Sequence, residues 1–325
     1  MNLKENALRI LRFDKPERVV TGVPVWQLCY HGCNHEGYDG GGHDVPVGTS
    51  WTDIWGVGWH KEQEGVMAFP RRHPLAEPSA LRTYRWPDPD DERICGKIYR
   101  MREQFPGGDT FLAGSNRDTV WEKSYMLVGM EDLMVHFRTE PGFVRDVMRG
   151  VMDFQLGIAR HYRKVGVELI GCSDDLGTQI GPLLGPRIVQ EFLLPEYRRL
   201  FGPYKRDGVI VNFHSCGQVD TVVPVLLELG IDILNPVQAR ANDLDKLRAM
   251  TAGRMALQGA VSTVTIFDGP PERIVDEVRR RLWQLGRDGG YFCNPDQGLP
   301  FPPAHLEAFN RAVEEFGRYP LQPYR

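Results

Sequence analysis

The sequence predicts an α/β chain folded as a distorted (β/α)8 TIM barrel, with an N-terminal helix and a long insertion after the first strand. Three observations carry this expectation. Seven short apolar segments occur along the chain, and from residue 109 onward they alternate with amphipathic or helix-length stretches, the pattern of parallel βαβ units. The length of 325 residues suits one barrel domain spanning 1–325. No Gly-x-Gly-x-x-Gly follows a strand and no Gly-x-x-x-x-Gly-Lys-Ser/Thr occurs, which disfavours a dinucleotide-binding or P-loop sheet.

The elements follow in order. After the amphipathic N-terminus, "VPVWQL" (23–28) reads as the first strand. Residues 29–108 are rich in Gly, Pro, His, Trp and Asp and read as an irregular lid or binding insertion. "DTFLAGS" (109–115) is the second strand, followed by helical stretches at about 119–138 and 142–165. Strands "VELIGC" (167–172), "VIVNF" (209–213), "IDILNP" (231–236), "RMALQG" (254–259) and "YFCN" (291–294) then alternate with helices. An eighth strand would have to lie in an irregular segment.

Composition narrows the function. A net charge of −4 and a pI near 6.2 give no reason to expect nucleic acid or an anionic membrane as partner. No apolar run reaches membrane-span length, and the charged N-terminus lacks a signal-peptide core, so a cytoplasmic location is expected. The six cysteines are scattered through the chain and do not form a disulfide framework.

In a TIM barrel the site is built at the C-terminal ends of the strands. Those ends carry Trp26 and Gln27, Asn116, Asp174 and Asp175, His214 and Cys216, Asn235 and Gln238, and Cys293 with Gln297. His214 and Cys216 are two apart, so on an extended chain both project to one face. With Cys293 they would make a three-ligand zinc set with one open position. Thiolate ligands weaken the metal as a Lewis acid toward water and leave a bound sulfur nucleophilic, which favours alkyl transfer over hydrolysis. Asp174 and Asp175 would supply general acid/base chemistry, substrate orientation or a fourth ligand, although the first of them could instead cap a helix. Trp26, Gln27, Asn116, Asn235 and Gln238 are candidate substrate contacts, as is Trp55 if the tryptophans of "WTDIWGVGWH" form an aromatic wall. Cys29, His31, Cys33 and His35 alternate in "CYHGCNH", but their glycine-rich surroundings favour a lid over a metal site.

Three blocks, "SDDLGTQIGPLLGPRIVQEFLLPEYRRL", "VNFHSCGQVDTVVPVLLELGIDILNPVQ" and "GGYFCNPDQGLPFPPAHLEAFNRAVEEFGRYP", resemble the uroporphyrinogen decarboxylase superfamily. So do "DIWGVGW" and "YMLVGMEDLMVHFRTEPGFV", and the resemblance runs over nearly the whole chain. It implies the distorted (β/α)8 barrel. True decarboxylases of the superfamily carry paired arginines after the first strand and a late His before Gly. Here the corresponding stretches read "VWQLCYHGCN" and "NPDQGLP", with Gln297 in place of the His. The other branch, cobalamin-dependent methyltransferases, carries a His-x-Cys and a late Cys that bind zinc. His214-x-Cys216 matches the pair, and Cys293 is the candidate late ligand, with Gln297 the alternative residue facing the site.

What the resemblance implies is a zinc-dependent methyltransferase moving a methyl group between a corrinoid protein and a thiol or a methoxylated or methylated small molecule. The methylcobamide would sit on a separate partner protein. The alternatives are a uroporphyrinogen decarboxylase-type carboxy-lyase and a non-catalytic tetrapyrrole- or corrinoid-binding protein.

Overall fold

The computed structural model describes residues 1–324. Its strands, in chain order, are β1 (Val25–Gln27), β2 (Ser50–Thr52), β3 (Gly58–His60), β4 (Phe69–Arg72), β5 (Phe111–Asn116), β6 (Leu169–Ser173), β7 (Ile210–His214), β8 (Ile233–Val237), β9 (Ala256–Val261) and β10 (Tyr291–Pro295). Seven of them pair in parallel to form one curled sheet in the order β1, β5, β6, β7, β8, β9, β10. All seven coincide with the apolar segments of the sequence. The sheet is that of a distorted TIM barrel. Between its edge strands, the N–H of Cys293 donates to the carbonyl of Val20 at 2.9 Å, so the segment ahead of β1 bonds to the last strand.

The pleat sorts side chains into two layers. Phe111, Ala113, Leu169, Ile233, Ala256 and Phe292 form one apolar cluster inside the sheet. Ala7 and Ile10 of the N-terminal helix Leu3–Leu11 belong to it and plug that end. The Asn2 side chain caps the helix by accepting from the N–H of Glu5 at 2.8 Å. The opposite strand faces, with Leu112, Ile170, Val211, Leu234, Leu257 and Cys293, join a second and larger cluster beneath the outer helices. Toward the C-terminal strand ends the inner face turns polar. Ser173, His214 and Asn235 stand side by side across β6, β7 and β8 in register.

The insertion is more regular than its composition suggests. β2, β3 and β4 form an antiparallel sheet, and a helix spans Glu92–Glu103. Asp53 knits this unit, accepting from the N–H groups of Trp55 and Val57 and from Trp59 Nε1, each at 2.9 Å. The single helix expected over 119–138 is two, Trp121–Val128 and Met130–Thr139. They are broken at Gly129, whose φ of 103° lies outside the helical region. Among the described residues, no helix is long and apolar enough to cross a membrane.

Candidate metal centre

The loops after β6 and β7 meet back to back. Gly217 has a φ of 80°, and a Cβ there would fall 2.3 Å from the carbonyl carbon of Gly177. Both positions therefore need glycine, and the contact lets Gln218 N–H donate to Thr178 O at 2.7 Å. This close approach carries Asp175 to the His214-Ser215-Cys216 turn. Ser215, fully buried, accepts from the N–H of Leu176 at 2.9 Å and fixes the same junction.

Asp175, His214 and Cys216 present ligand atoms that all lie within 4.8 Å of one another. Among the described residues, this is the one group of three or more such side chains that could hold an ion. His214 Nε2 is 3.4 Å from Cys216 Sγ and 3.7 Å from Asp175 Oδ1. The other ring nitrogen, Nδ1, lies 3.1 Å from Asn235 Oδ1, which leaves Nε2 facing the cluster. Asp175 Oδ1 also accepts from the Cys216 N–H at 2.8 Å. Burial, and then the Asp175 charge, push the Cys216 thiol up to about 12. A sulfur, an imidazole nitrogen and a carboxylate oxygen in one small volume are the donor types that zinc accepts. A cation there would offset the repulsion between thiolate and carboxylate, so the residues fit such an ion.

The cavity above the cluster has a volume of about 540 Å³. Its walls include Ser115, Arg117, Asp118, Glu122, Ser173, Asn212, Asn235, Gln297 and Met67. Burial, with the Asp118, Asp174 and Asp175 carboxylates, raises the Glu122 carboxyl well above its ordinary range. Arg117, Glu122 and Asn212 were not anticipated from the sequence, whereas Ser115 and Ser173 stand at strand ends where polar site residues are expected. The polar pair Arg117-Asp118 directly after a strand was the available signal. Asn212 was hidden inside an apolar run.

The remaining sequence candidates divide. Asn235 and Gln297 line the cavity, and Gln297 Nε2 lies 2.9 Å from Cys216 Sγ. Cys293 does not join the centre. It is fully buried on the outer face of β10, beside Tyr291 and in the outer cluster, because Phe292 takes the inward position. Burial first, and Glu277 after it, push its thiol up to about 12, against the lowering effect of Tyr291 and Arg281. Asp174 is also turned away. Its carboxylate accepts from the N–H groups of Val120 and Glu122 and from the Tyr197 hydroxyl at 2.7–2.9 Å. It therefore caps the helix Trp121–Val128, and burial pushes it up to about 7. Asn116, fully buried, is engaged by Gln155 and Tyr204 on the outer face. Trp26 packs against the outer cluster, and Gln27 donates to the Leu28 carbonyl at 2.9 Å. Gln238 accepts from the Gly217 N–H at 2.7 Å, so it holds the Cys216 turn without lining the cavity.

No aromatic wall faces the cavity among its described lining residues. Trp55 is 1% exposed and packs edge-on against Phe154 at 4.6 Å. Trp59 stacks on His35 at 4.2 Å, and Trp51 Nε1 donates to the His35 carbonyl. These rings anchor the insertion, as large buried aromatics commonly do. The alternating Cys/His run does not converge either. His31 bonds Gly37, Cys33 lies against Ser115, and His35 pairs with Asp118 at 2.6 Å.

No curated protein sequence matches this chain. Solved structures do. A methyltransferase from Methanosarcina mazei superimposes with a TM-score of 0.72 at 17% identity, covering 97% of this chain and 99% of that one. A B12-independent methionine synthase from Shewanella sp. W3-18-1 gives 0.46 at 14% identity, covering 66% of this chain and 62% of that one. At such identities the likeness is one of fold. The model of the uroporphyrinogen decarboxylase (URO-D) family matches residues 66–316. On that match, over most of its length, the chain belongs to the uroporphyrinogen decarboxylase family.

Proposed function

We propose that this chain is a metal-dependent methyltransferase whose centre is Asp175, His214 and Cys216. The observation that carries the reading is their convergence to within 4.8 Å at the floor of a polar cavity. The fold shared with a methyltransferase from Methanosarcina mazei supports it. Zinc is the ion the donor set suits, with a position left for substrate. Bound there, it would supply the Lewis acidity that keeps a sulfur deprotonated yet nucleophilic, or that polarises a methoxyl group.

The chain's own residues do the rest. Asn235 holds the His214 ring so that Nε2 faces the centre. Asp175 fixes the Cys216 backbone and brings a carboxylate oxygen to the same point. Glu122, its carboxyl raised above the ordinary range by burial and its acidic neighbours, lines the same cavity. Ser115, Ser173 and Asn212 offer hydrogen bonds that orient a small polar substrate. The methyl group would be exchanged with a corrinoid carried by a separate protein at the strand-end face, the acceptor or donor being a thiol or a methylated small molecule.

The decarboxylase reading is weaker. A tetrapyrrole with eight carboxylates needs several guanidinium forks. Among the described lining residues, Arg117 is the sole arginine or lysine. Metal analysis of the purified protein tests the proposal. About one zinc per chain is expected, lost in Cys216→Ala and His214→Ala. A fully folded, metal-free protein that takes up no zinc and turns over uroporphyrinogen would overturn it.

A further inference from the structure

One wall of the central cavity carries an acceptor without a donor. Asp118 lines the cavity and is 2% exposed. Its Oδ2 lies 2.6 Å from His35 Nε2 and 3.3 Å from the Lys123 ammonium. Among the described residues, its Oδ1 accepts no hydrogen bond. Arg117 Nε approaches that oxygen only to 3.6 Å, beyond bonding range. The two terminal nitrogens of Arg117 are turned to Asn34 Oδ1 and Met67 Sδ, each at 3.2 Å. Burial would raise the Asp118 carboxyl, but Lys123, His35 and Arg117 outweigh it and keep the group charged. A buried charged oxygen left unmet is costly. The backbone adds to that cost. Asp118 and His35 both hold left-handed conformations, with φ of 50° and 66°, and such strain collects at ligand clamps. Ser173 fixes the place of Asp118, its hydroxyl accepting from the Asp118 N–H at 2.9 Å, and Ser173 stands in register with His214. Asp118, just past β5, is therefore two strands from His214 on β7, on the order of 10 Å at ~4.8 Å per strand.

We infer that Asp118 Oδ1 anchors the substrate by accepting a hydrogen bond from a neutral hydroxyl group, and so selects a small hydroxylated molecule whose other end reaches the metal centre. An acidic group is refused there, because its oxygens would meet Oδ1 with no donor between them and with like charge. An ammonium is disfavoured as well, since Lys123 and Arg117 already place two positive charges around one carboxylate. A hydroxyl brings the missing donor without adding charge, and its lone pairs find Ser115 and Asn212 in the walls of the same cavity. This rests on the methyl-transfer reading for the identity of the reacting end, but not for the anchor.

Calorimetric titration of the zinc-loaded protein with mercapto alcohols, from 2-mercaptoethanol to 4-mercaptobutanol, tests it against the ω-fluoro thiols of equal length. Fluorine matches the hydroxyl in size but donates nothing. The best alcohol should bind about ten-fold more tightly than its fluoro partner, which leaves a buried charged acceptor unmet. Equal binding of the two overturns the anchor and leaves the metal centre standing. Tighter binding of the ω-amino thiol than of the alcohol overturns the neutral class. Asp118→Asn combined with Lys123→Met removes the two buried charges together, and Asn tolerates the left-handed backbone. In that variant the advantage of the alcohol should fall to about two-fold. A folded double variant that keeps the full advantage also overturns the anchor; if it does not fold, the comparison in the wild type decides alone. In protein that takes up no zinc, saturation-transfer NMR that shows contact with 1,3-propanediol and none with 1,3-difluoropropane preserves the anchor and rejects the metal centre.

Discussion

The side-chain amide nitrogen of Gln297 stands 2.9 Å from the sulfur of Cys216, so the loop after β10 reaches the centre through an amide and not a second thiol. Asp296 sets this loop, accepting from the N–H and hydroxyl of Thr263 and from the Ala239 N–H at 2.7–3.1 Å. Gln297 therefore occupies the place from which a further ligand would come. Gln297→Cys is expected to bring a second sulfur to the centre. The variant should hold zinc more tightly against a chelator and, loaded with cobalt(II), show stronger sulfur-to-metal charge-transfer absorption per chain. Gln297→Ala should loosen the metal by about ten-fold, as loss of a group bonded to a ligand commonly does. Identical affinities and spectra in all three proteins would place the amide outside the centre.

The adjacent carboxylates Asp174 and Asp175 have different duties, and substitution separates them. Asp174→Asn replaces one carboxylate oxygen by an amide donor, so either the Glu122 N–H, or the Val120 N–H together with the Tyr197 hydroxyl, faces an NH2 group in place of its acceptor. A loss of about 2 kcal/mol of unfolding free energy is expected, with zinc content unchanged. Asp175→Asn should do the reverse. It stands where its oxygen meets Cys216 and His214, and its side chain is 39% exposed, so zinc affinity falls while the melting temperature of the metal-free protein barely moves. Denaturant unfolding and metal analysis on the same samples report both.

What the sequence showed and what it hid follow from one property of parallel sheets. Strands covered on both faces read as unbroken apolar runs. This made all seven strands visible and placed their C-terminal ends to within two residues. It also erased the alternation that tells inward from outward. His214 and Asn235 fall on the inner face and line the cavity, while Cys293, Asn116 and Trp26 fall on the outer face. In "YFCN" nothing distinguishes Phe292 from Cys293 as the inward residue until the register with β9 is known. The His214-x-Cys216 pair was legible because both its members share one face whichever face it is. Asp175 was legible as a carboxylate at a strand end and, with Asp174, as a possible further ligand beside that pair, but the sequence did not say which of the two it would be. Its position depends on the contact between Gly177 and Gly217, 40 residues apart.

The outward position of Cys293 gives a direct prediction. Cys293→Ala should leave zinc stoichiometry and affinity as they are, since its sulfur is packed beside Tyr291 under the helix Pro271–Arg281. Removing one buried sulfur should cost about 1 kcal/mol of stability. Loss of zinc from this variant, with the far-ultraviolet spectrum unchanged, would return Cys293 to the ligand set.

The insertion is fastened to the barrel by a buried pair that sets its response to acid. His35 Nε2 lies 2.6 Å from Asp118 Oδ2, and Lys123, 1% exposed, stands 3.3 Å from the same carboxylate. Arg117, His43 and the stacked Trp59 complete the surroundings of the imidazole. Burial lowers His35 from 6.5 to about 4, and Lys123 and Arg117 add to this against the pull of Asp118. Burial would raise Asp118, but Lys123, His35 and Arg117 outweigh it and hold the carboxyl far below the usual carboxylate range. Below pH about 6.5 the unfolded chain takes up a proton on His35 that the folded chain refuses, so stability falls as pH drops toward 4. The depressed Asp118 acts in the same direction at still lower pH, below the ordinary carboxylate range. A loss of about 3 kcal/mol between pH 7 and 4 is expected from His35, since each pH step of one between the unfolded and folded values costs about 1.4 kcal/mol. Urea unfolding across that range reads it, and His35→Gln should flatten the slope. A variant whose stability falls as steeply as the wild type's would show that the acid response arises elsewhere.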